Sequence, residues 1–197
     1  MLCAIPAERT IGASPGTEHA AVSSISRGNC VVLIRHAETV AGIGDPPGMR
    51  LDDCSTQRNL SEQGRAQAAR MGRWFRDRRL TPTHVRSSQW CRCLDTAREA
   101  FGSEIPTIPW PALNSFFQGQ GDRGSQIREA AAMARSLAMR RSYGQFEVWV
   151  THQVVISALT GYSPSMGEMV VAAYKGPASD ALVAEGSLRV LAAGLVP

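Results

Sequence analysis

Lysine is almost missing from this chain. Of its 21 basic residues, Lys175 is the only lysine and the rest are arginines. The arginine fork grips phosphate bidentately where an ammonium cannot, so the bias permits phosphate chemistry. Genome base composition produces the same bias, so position has to decide. Arg65, Arg70, Arg73, Arg76, Arg78 and Arg79 fall on one expected helix with no interleaved aromatic ladder. That pattern reads as a solvated face and excludes a nucleic-acid groove. Long apolar runs are also missing: Val31 to Ile34 and Met169 to Ala173 fall well short of the roughly 18 residues that cross a bilayer. A soluble protein with no membrane partner is expected. The five cysteines, Cys3, Cys30, Cys54, Cys91 and Cys93, are too few and too odd in number for a disulfide scaffold. No C-x-x-C pair occurs, and Cys91-Arg92-Cys93 lacks the spacing of a zinc knuckle or a thioredoxin-type motif, so no metal is expected. Near Met1 there is neither a basic n-region nor a continuous apolar h-region, because Pro6, Glu8, Arg9 and Thr10 interrupt it. A cytoplasmic location is expected, with the periplasm as the alternative.

What is present suits one domain. The 197 residues, 44% hydrophobic and 19% charged, with net charge +4, resemble an ordinary globular chain. Residues 1–27 show no hydrophobic period and read as an N-terminal tail or arm, leaving 28–197 as the domain. Within that tail Gly12-Ala13-Ser14-Pro15-Gly16 fits the G-x-S-x-G nucleophile elbow. The elbow needs a strand before it and a helix after it, neither of which is expected there, and Pro15 drives Ser14 away from helical dihedrals. From Cys30 the texture changes. Val31-Val32-Leu33-Ile34 is a β-branched run suited to a strand buried on both faces. Further strands are expected at Thr83–Ser87, Phe146–Thr151, near Glu168–Ala173 and near Ser187–Ala192. Helices are expected from Ser61, as N-cap, to about Arg78; from Trp90 to Ala100; along Ile127, Ala130, Ala131, Ala134 and Leu137, ending near Tyr143-Gly144; and from His152 to Gly161. Alternating strands and helices imply an α/β fold, a three-layer αβα sandwich with a mostly parallel central sheet and helices on both faces.

Only four histidines occur. His19 falls in the tail and His84 inside a strand, and neither is assigned a role. His36 and His152 each terminate a hydrophobic strand, where open α/β sheets gather their ligands.

Four sequence blocks extend this reading. Arg35-His36-Ala37-Glu38-Thr39 resembles the Arg-His-Gly motif of the histidine phosphatase superfamily, the phosphoglycerate-mutase-like proteins, with Ala37 in place of the glycine. Leu60-Ser61-Glu62-Gln63-Gly64-Arg65-Ala66-Gln67-Ala68 is similar to the family's Leu-Ser/Thr-x-x-Gly-x-x-Gln-Ala helix start. Ser87-Ser88 followed by Arg92, Thr96 and Ala97 resembles its Ser-Ser-x-x-x-Arg-x-x-x-Thr-Ala segment, and Val148-Trp149-Val150-Thr151-His152 its second-histidine strand.

The resemblance implies a phosphoric monoester hydrolase. His36 would attack phosphorus in line and form a phosphohistidine; Arg35, Arg58 and Arg92 would bind the equatorial oxygens; His152 would complete the anion site. It implies no cofactor and no metal, and a small-molecule or protein phosphate as substrate. Arg86 falls outside the family's arginine position. Where many members carry a glutamate as general acid, this chain has Leu113-Asn114-Ser115, and a serine is no acid near neutral pH. Asp45, Asp52 and Asp53 are the replacement candidates, with a solvated turn as the alternative for each. Members that dephosphorylate phosphohistidine manage without the glutamate, because a protonated imidazole leaves readily. A phosphoglycerate-mutase-type phosphotransferase and a catalytically silent phosphate-binding module are the rival functions. If Arg58 and Arg92 share a phosphate, Cys54 and either Cys91 or Cys93 come within bridging distance, although reduced cysteines are expected in a cytosolic protein.

The Gly42-Ile43-Gly44-Asp45-Pro46-Pro47-Gly48 run lacks the helix start that a dinucleotide loop needs and reads as a lid or rim loop. His36-Ala37-Glu38 matches half of a zinc deaminase signature, but no Pro-Cys-x-x-Cys follows. Trp90, Trp110, Phe116 and Phe117 are candidates for a pocket mouth, against core packing as the default.

Overall fold

A computed structural model describes residues 14–42, 44–140, 142–176 and 186–197. The described chain runs α1 (Pro15–Arg27), β1 (Cys30–Arg35), α2 (Glu62–Asp77), β2 (His84–Ser87), α3 (Cys91–Phe101), β3 (Thr107–Pro109), α4 (Arg123–Met139), β4 (Phe146–Thr151), α5 (Gln153–Thr160), β5 (Met169–Tyr174) and β6 (Leu188–Leu195). The sheet order is β3-β2-β4-β1-β5-β6. The pairs β3-β2, β2-β4 and β4-β1 are parallel, whereas β5 runs antiparallel to both β1 and β6. This is the expected mostly parallel sheet, with the reversal on one side.

Side-chain alternation splits the core into two layers. Val32, Ile34, Val148, Val150, Met169 and Val171 face α1, α2 and α3, while Val31, Leu33, Trp149, Val170 and Ala172 face α4 and α5. Strands buried on both faces explain the unbroken β-branched runs. Each fully buried valine or isoleucine contributes roughly 1.5–3 kcal/mol of transfer free energy.

The expected N-terminal tail is corrected over its second half. Residues 15–27 form a helix: Ser14 caps it by accepting from the Thr17 N–H, Pro15 occupies the first turn, and Gly28 ends it at φ 78°. Ala21, Ser24 and Ile25 bury one face against the sheet, and the Trp74 indole donates to Glu18 at 3.1 Å. Ser14, extended at ψ 150° as the following proline requires, is therefore a cap. A helix does follow the G-x-S-x-G match; residues 1–13, with Cys3, lie outside the described residues. The strand β3 is an addition, three residues long and ending in proline at the sheet edge, too short for any period to show. The third expected helix stops at Met139, before Tyr143-Gly144.

The arginine face of α2 is less free than expected. Arg65 pairs with Asp95 and Glu99, Arg70 and Arg76 donate to the Pro197 and Ala100 carbonyls, and Arg78, just past the helix end, pairs with Glu18.

Candidate active site

Strand pairing brings the two strand-end histidines together. In the β1-β4 register Arg35 lies opposite Thr151, and the His36 N–H donates to the Thr151 carbonyl at 2.9 Å. His36 and His152 therefore leave neighbouring parallel strands at one edge, with ring centroids 5.4 Å apart. On the other side of β4, the Ser88 N–H donates to the Val150 carbonyl, which places Ser88 at that edge too. The start of α2 closes in from beside β1. A Cβ on Gly64 would lie 1.9 Å from the Glu38 carbonyl oxygen, so only glycine permits this approach. Gln67 then bridges two loops, accepting from the Glu38 N–H and donating to the Met166 carbonyl. The Gly and Gln of the second sequence block thus hold the loop that follows His36.

The His36 ring has a set tautomer. His36 Nδ1 lies 2.9 Å from the Ala37 carbonyl, which can only accept, so Nδ1 carries the proton and Nε2 keeps its lone pair. Burial first, then the charge of Arg92, lowers the His36 pKa to about 3. The ring is neutral. His152 Nε2 lies 2.8 Å from Ser88 Oγ. The Gln89 N–H donates to Asn114 Oδ1, which fixes that amide, and Ser88 Oγ donates to the same oxygen at 3.2 Å. Ser88 Oγ thus links His152 Nε2 to Asn114 Oδ1. Burial, then His36 and Arg92, hold the His152 pKa well below the ordinary value. Trp90 packs edge-on against this ring, and the buried Cys93 thiol lies 3.5 Å from Nε2. Burial pushes that thiol up to about 12, so it stays protonated.

Three guanidinium groups share a pattern. Arg35 donates through Nη1 to the Pro164 carbonyl, Arg58 through Nη1 to the Gly42 carbonyl, and Arg92 through Nη1 to the Arg58 carbonyl at 3.5 Å. The Nε of each is buried and has no hydrogen-bond partner. Burial first, then the neighbouring guanidinium charges, lowers the pKa of Arg35 and Arg58 from their usual value. A buried N–H without an acceptor costs about 1–3 kcal/mol.

Arg35, His36, Arg58, Arg92 and His152 line a cavity of about 750 Å³. Ser115, Phe116, Phe117, Arg123, Val154 and Ser157 also line it. Ser115, where the resemblance places a glutamate, lines the cavity; it is buried and its Oγ accepts from the Phe117 N–H. Of the four aromatic candidates, Phe116 and Phe117 line the cavity, Trp90 backs His152, and Trp110 packs into the α4 side against Trp149. Gly42, Gly44 and Asp45 make the rim, as expected of that loop; Ile43 lies outside the described residues.

The aspartates separate. Asp52 is exposed and pairs with Arg50, and Asp53 caps the short turn Cys54–Thr56, both as turn residues. Asp45 is neither solvated nor protonated: it holds Arg92 in a two-point ion pair at 2.7 and 3.1 Å, with side chains 7% and 6% exposed. Burial acts to raise its pKa, but the hydrogen bonds and charge of Arg92, the Arg58 N–H and the Trp90 indole outweigh it and leave the carboxyl below its usual range. This pairing was missed in the sequence because 47 residues separate the partners. Arg86 lies apart, bonded to the buried Glu147. His19 is exposed and His84 sits half-exposed near Glu147. Cys54 and Cys91 form a disulfide with Cα atoms 5.7 Å apart, while Cys30 and Cys93 are free. The expectation of reduced cysteines is corrected at this pair.

Two buried histidines at neighbouring strand ends thus share one cavity with Arg35, Arg58 and Arg92. The sequence profile of the histidine phosphatase superfamily (branch 1) matches residues 31–138, and the chain belongs to that family. Among solved structures, the chain is similar to a mycobacterial glucosyl-3-phosphoglycerate phosphatase, at 16% identity and TM-score 0.60, over 86% of this chain and 100% of that one. It is also similar to Bacillus stearothermophilus YhfR, at 18% identity and TM-score 0.58, over 85% and 98%. The protein histidine phosphatase SixA, solved with tungstate, aligns at 16% identity and TM-score 0.51, over 74% and 88%. At these identities the likeness shows the fold. Among proteins of curated function, none matches significantly.

Proposed function

We propose that the chain is a metal-independent phosphatase that hydrolyses phosphomonoesters or phosphoramidates through a phosphohistidine on His36. The observation that carries this reading is the set of three buried, unpartnered Nε–H groups beside a neutral histidine whose Nε2 is free. In the first step the Nε2 lone pair attacks phosphorus, the N–P bond forms, and the bond to the leaving group breaks with its electron pair on that group. Arg35, Arg58 and Arg92 face the equatorial oxygens, and His152 supplies a fourth contact. In the second step water attacks, the N–P bond breaks, and phosphate and neutral His36 return.

The leaving group's proton is where substrates diverge. Among the described residues lining the cavity, Asp45 is the only carboxylate, and it is ionised and committed to Arg92. A phosphoramidate brings its own proton on the leaving nitrogen, which favours that class over alkyl esters. The same shortage supports the silent phosphate-binding module as the second reading. Ser115 counts against a mutase. The Cys54–Cys91 bond supports the periplasmic over the cytoplasmic location, because disulfides persist in oxidising compartments. No described helix is long and apolar enough to cross a membrane.

The deciding experiment is acid-free trapping of radiolabelled phosphate on the protein, followed by peptide mapping. Label on His36 that is released to water supports the phosphatase; release only to a second substrate means a phosphotransferase; saturable phosphate binding without label means the silent module.

A further inference from the structure

The Asp45–Arg92 pair leaves a specific remainder. Arg92 has five N–H groups. Nη1 uses one on Asp45 Oδ1 at 2.7 Å and directs the other to the Arg58 carbonyl at 3.5 Å. Nη2 uses one on Asp45 Oδ2 at 3.1 Å. What remains is the Nε–H, buried and unpartnered, and the second N–H of Nη2 beside it. Those two are parallel and form the side-on fork that grips an oxyanion at two points.

Asp45 itself has nothing left to give. Oδ1 accepts from Arg92 Nη1 and the Arg58 N–H, and Oδ2 from Arg92 Nη2 and the Trp90 indole at 3.2 Å. Four donors fill the four lone-pair sites of a carboxylate, so Asp45 neither carries a proton nor reaches substrate. Through the same contacts it ties the backbone of Arg58 and the ring behind His152 to Arg92.

Resting on the phosphatase reading, we infer that Asp45 is a positioning residue: it grips the end of the Arg92 guanidinium so that the Nε edge is presented to the phosphoryl group. The opposite arrangement, a plug that phosphate must displace, would need Asp45 to occupy the edge that the anion uses. Asp45 holds the Nη1–Nη2 edge and leaves the Nε edge without a partner.

Binding of inorganic phosphate, measured by calorimetry, and hydrolysis of p-nitrophenyl phosphate test this with the full chain. Asp45→Asn puts an amide N–H against a guanidinium N–H. It should lower kcat/KM by about 100-fold, the scale of an ångström misplacement of a catalytic group, and weaken phosphate binding with it. Asp45→Glu, which keeps the charge one methylene away, should recover part of both and serves as the second probe where Asp45→Asn fails to fold. In an Arg92→Lys background, which has no fork to orient, Asp45→Asn should cost little further; a purely structural role would cost the same in both backgrounds. Unchanged phosphate binding in the folded variants, or additive losses in the double variant, overturns the inference. Tighter binding by Asp45→Asn makes the residue a plug. A wild type that neither binds phosphate nor hydrolyses the ester fails at the phosphatase reading and takes the inference with it.

Discussion

His36 and His152 stand at the ends of adjacent parallel strands, 5.4 Å between ring centroids, both buried and both neutral. Two neutral imidazoles side by side among three guanidinium groups are an acid-sensitive arrangement. In the unfolded chain a histidine takes up a proton near pH 6.5, whereas folded His36 does so only near 3 and folded His152 also resists it. The unfolded state therefore binds more protons, and stability falls as pH drops below about 6.5. Each ring contributes up to about 1.4 kcal/mol per pH unit through this window. Urea unfolding at pH 7, 6 and 5 should show that slope, and His36→Asn should make it shallower. An unchanged slope would mean that His36 is already protonated in the fold.

The nucleophile assignment makes a direct demand. His36→Ala should lower turnover by several orders of magnitude, as removal of a covalent nucleophile does elsewhere, while the circular dichroism spectrum and phosphate binding persist. Near-normal hydrolysis by that variant would rule out the mechanism. Activity of the wild type should also survive excess EDTA, since arginines carry the charge stabilisation.

Much of the fold is legible in the sequence because its signals are local. Phe146–Thr151 appears with the expected bounds, since a β-branched and aromatic run buried on both faces has no competing period. Arg35, His36, Arg92 and His152 line one cavity because the motif blocks that carry them lie at strand ends, and strand-end position is a sequence property. The helix α1 was hidden by its own punctuation: Pro15 and Gly16 read as breakers when Pro15 is in fact a first-turn residue and Ser14 its cap. Asp45 was seen as a carboxyl near the site, but its role depends on Arg92, distant in sequence, and on burial that no local pattern encodes. The roles of Ser88 and Asn114 escaped for the same reason, because only the fold brings Ser88 between His152 and Asn114.

The Cys54–Cys91 bond joins the short turn before Arg58 to the first residue of α3, one position before Arg92. Closing a loop across 37 residues contributes about 4 kcal/mol by the chain-entropy relation. Non-reduced peptide mapping of protein matured under oxidising conditions should show this pair and leave Cys30 and Cys93 alkylatable after unfolding. Cys54→Ala with Cys91→Ala should lower stability by roughly that amount. An unmodified Cys54 in such protein would refute the pairing.

The absent acid gives the sharpest kinetic signature. With Ser115 on the cavity wall and Asp45, the only carboxylate among the described residues lining the cavity, locked to Arg92, no described carboxyl of that lining protonates a departing alkoxide. Phosphorylation of His36 should then depend steeply on the pKa of the leaving group, with aryl phosphates and phosphoramidates outpacing alkyl phosphates in single-turnover measurements. Ser115→Glu places a carboxyl on that wall, where burial raises its pKa toward neutrality and the neighbouring arginines oppose the rise. General acid catalysis is worth about 100- to 10,000-fold, so alkyl phosphates should gain markedly while aryl phosphates change little and the slope flattens. If the wild type shows no dependence on the leaving group, a proton donor is already in place. His152 is then the group to replace, because Nε2 is bonded to Ser88 and Nδ1 is the nitrogen left to carry that proton.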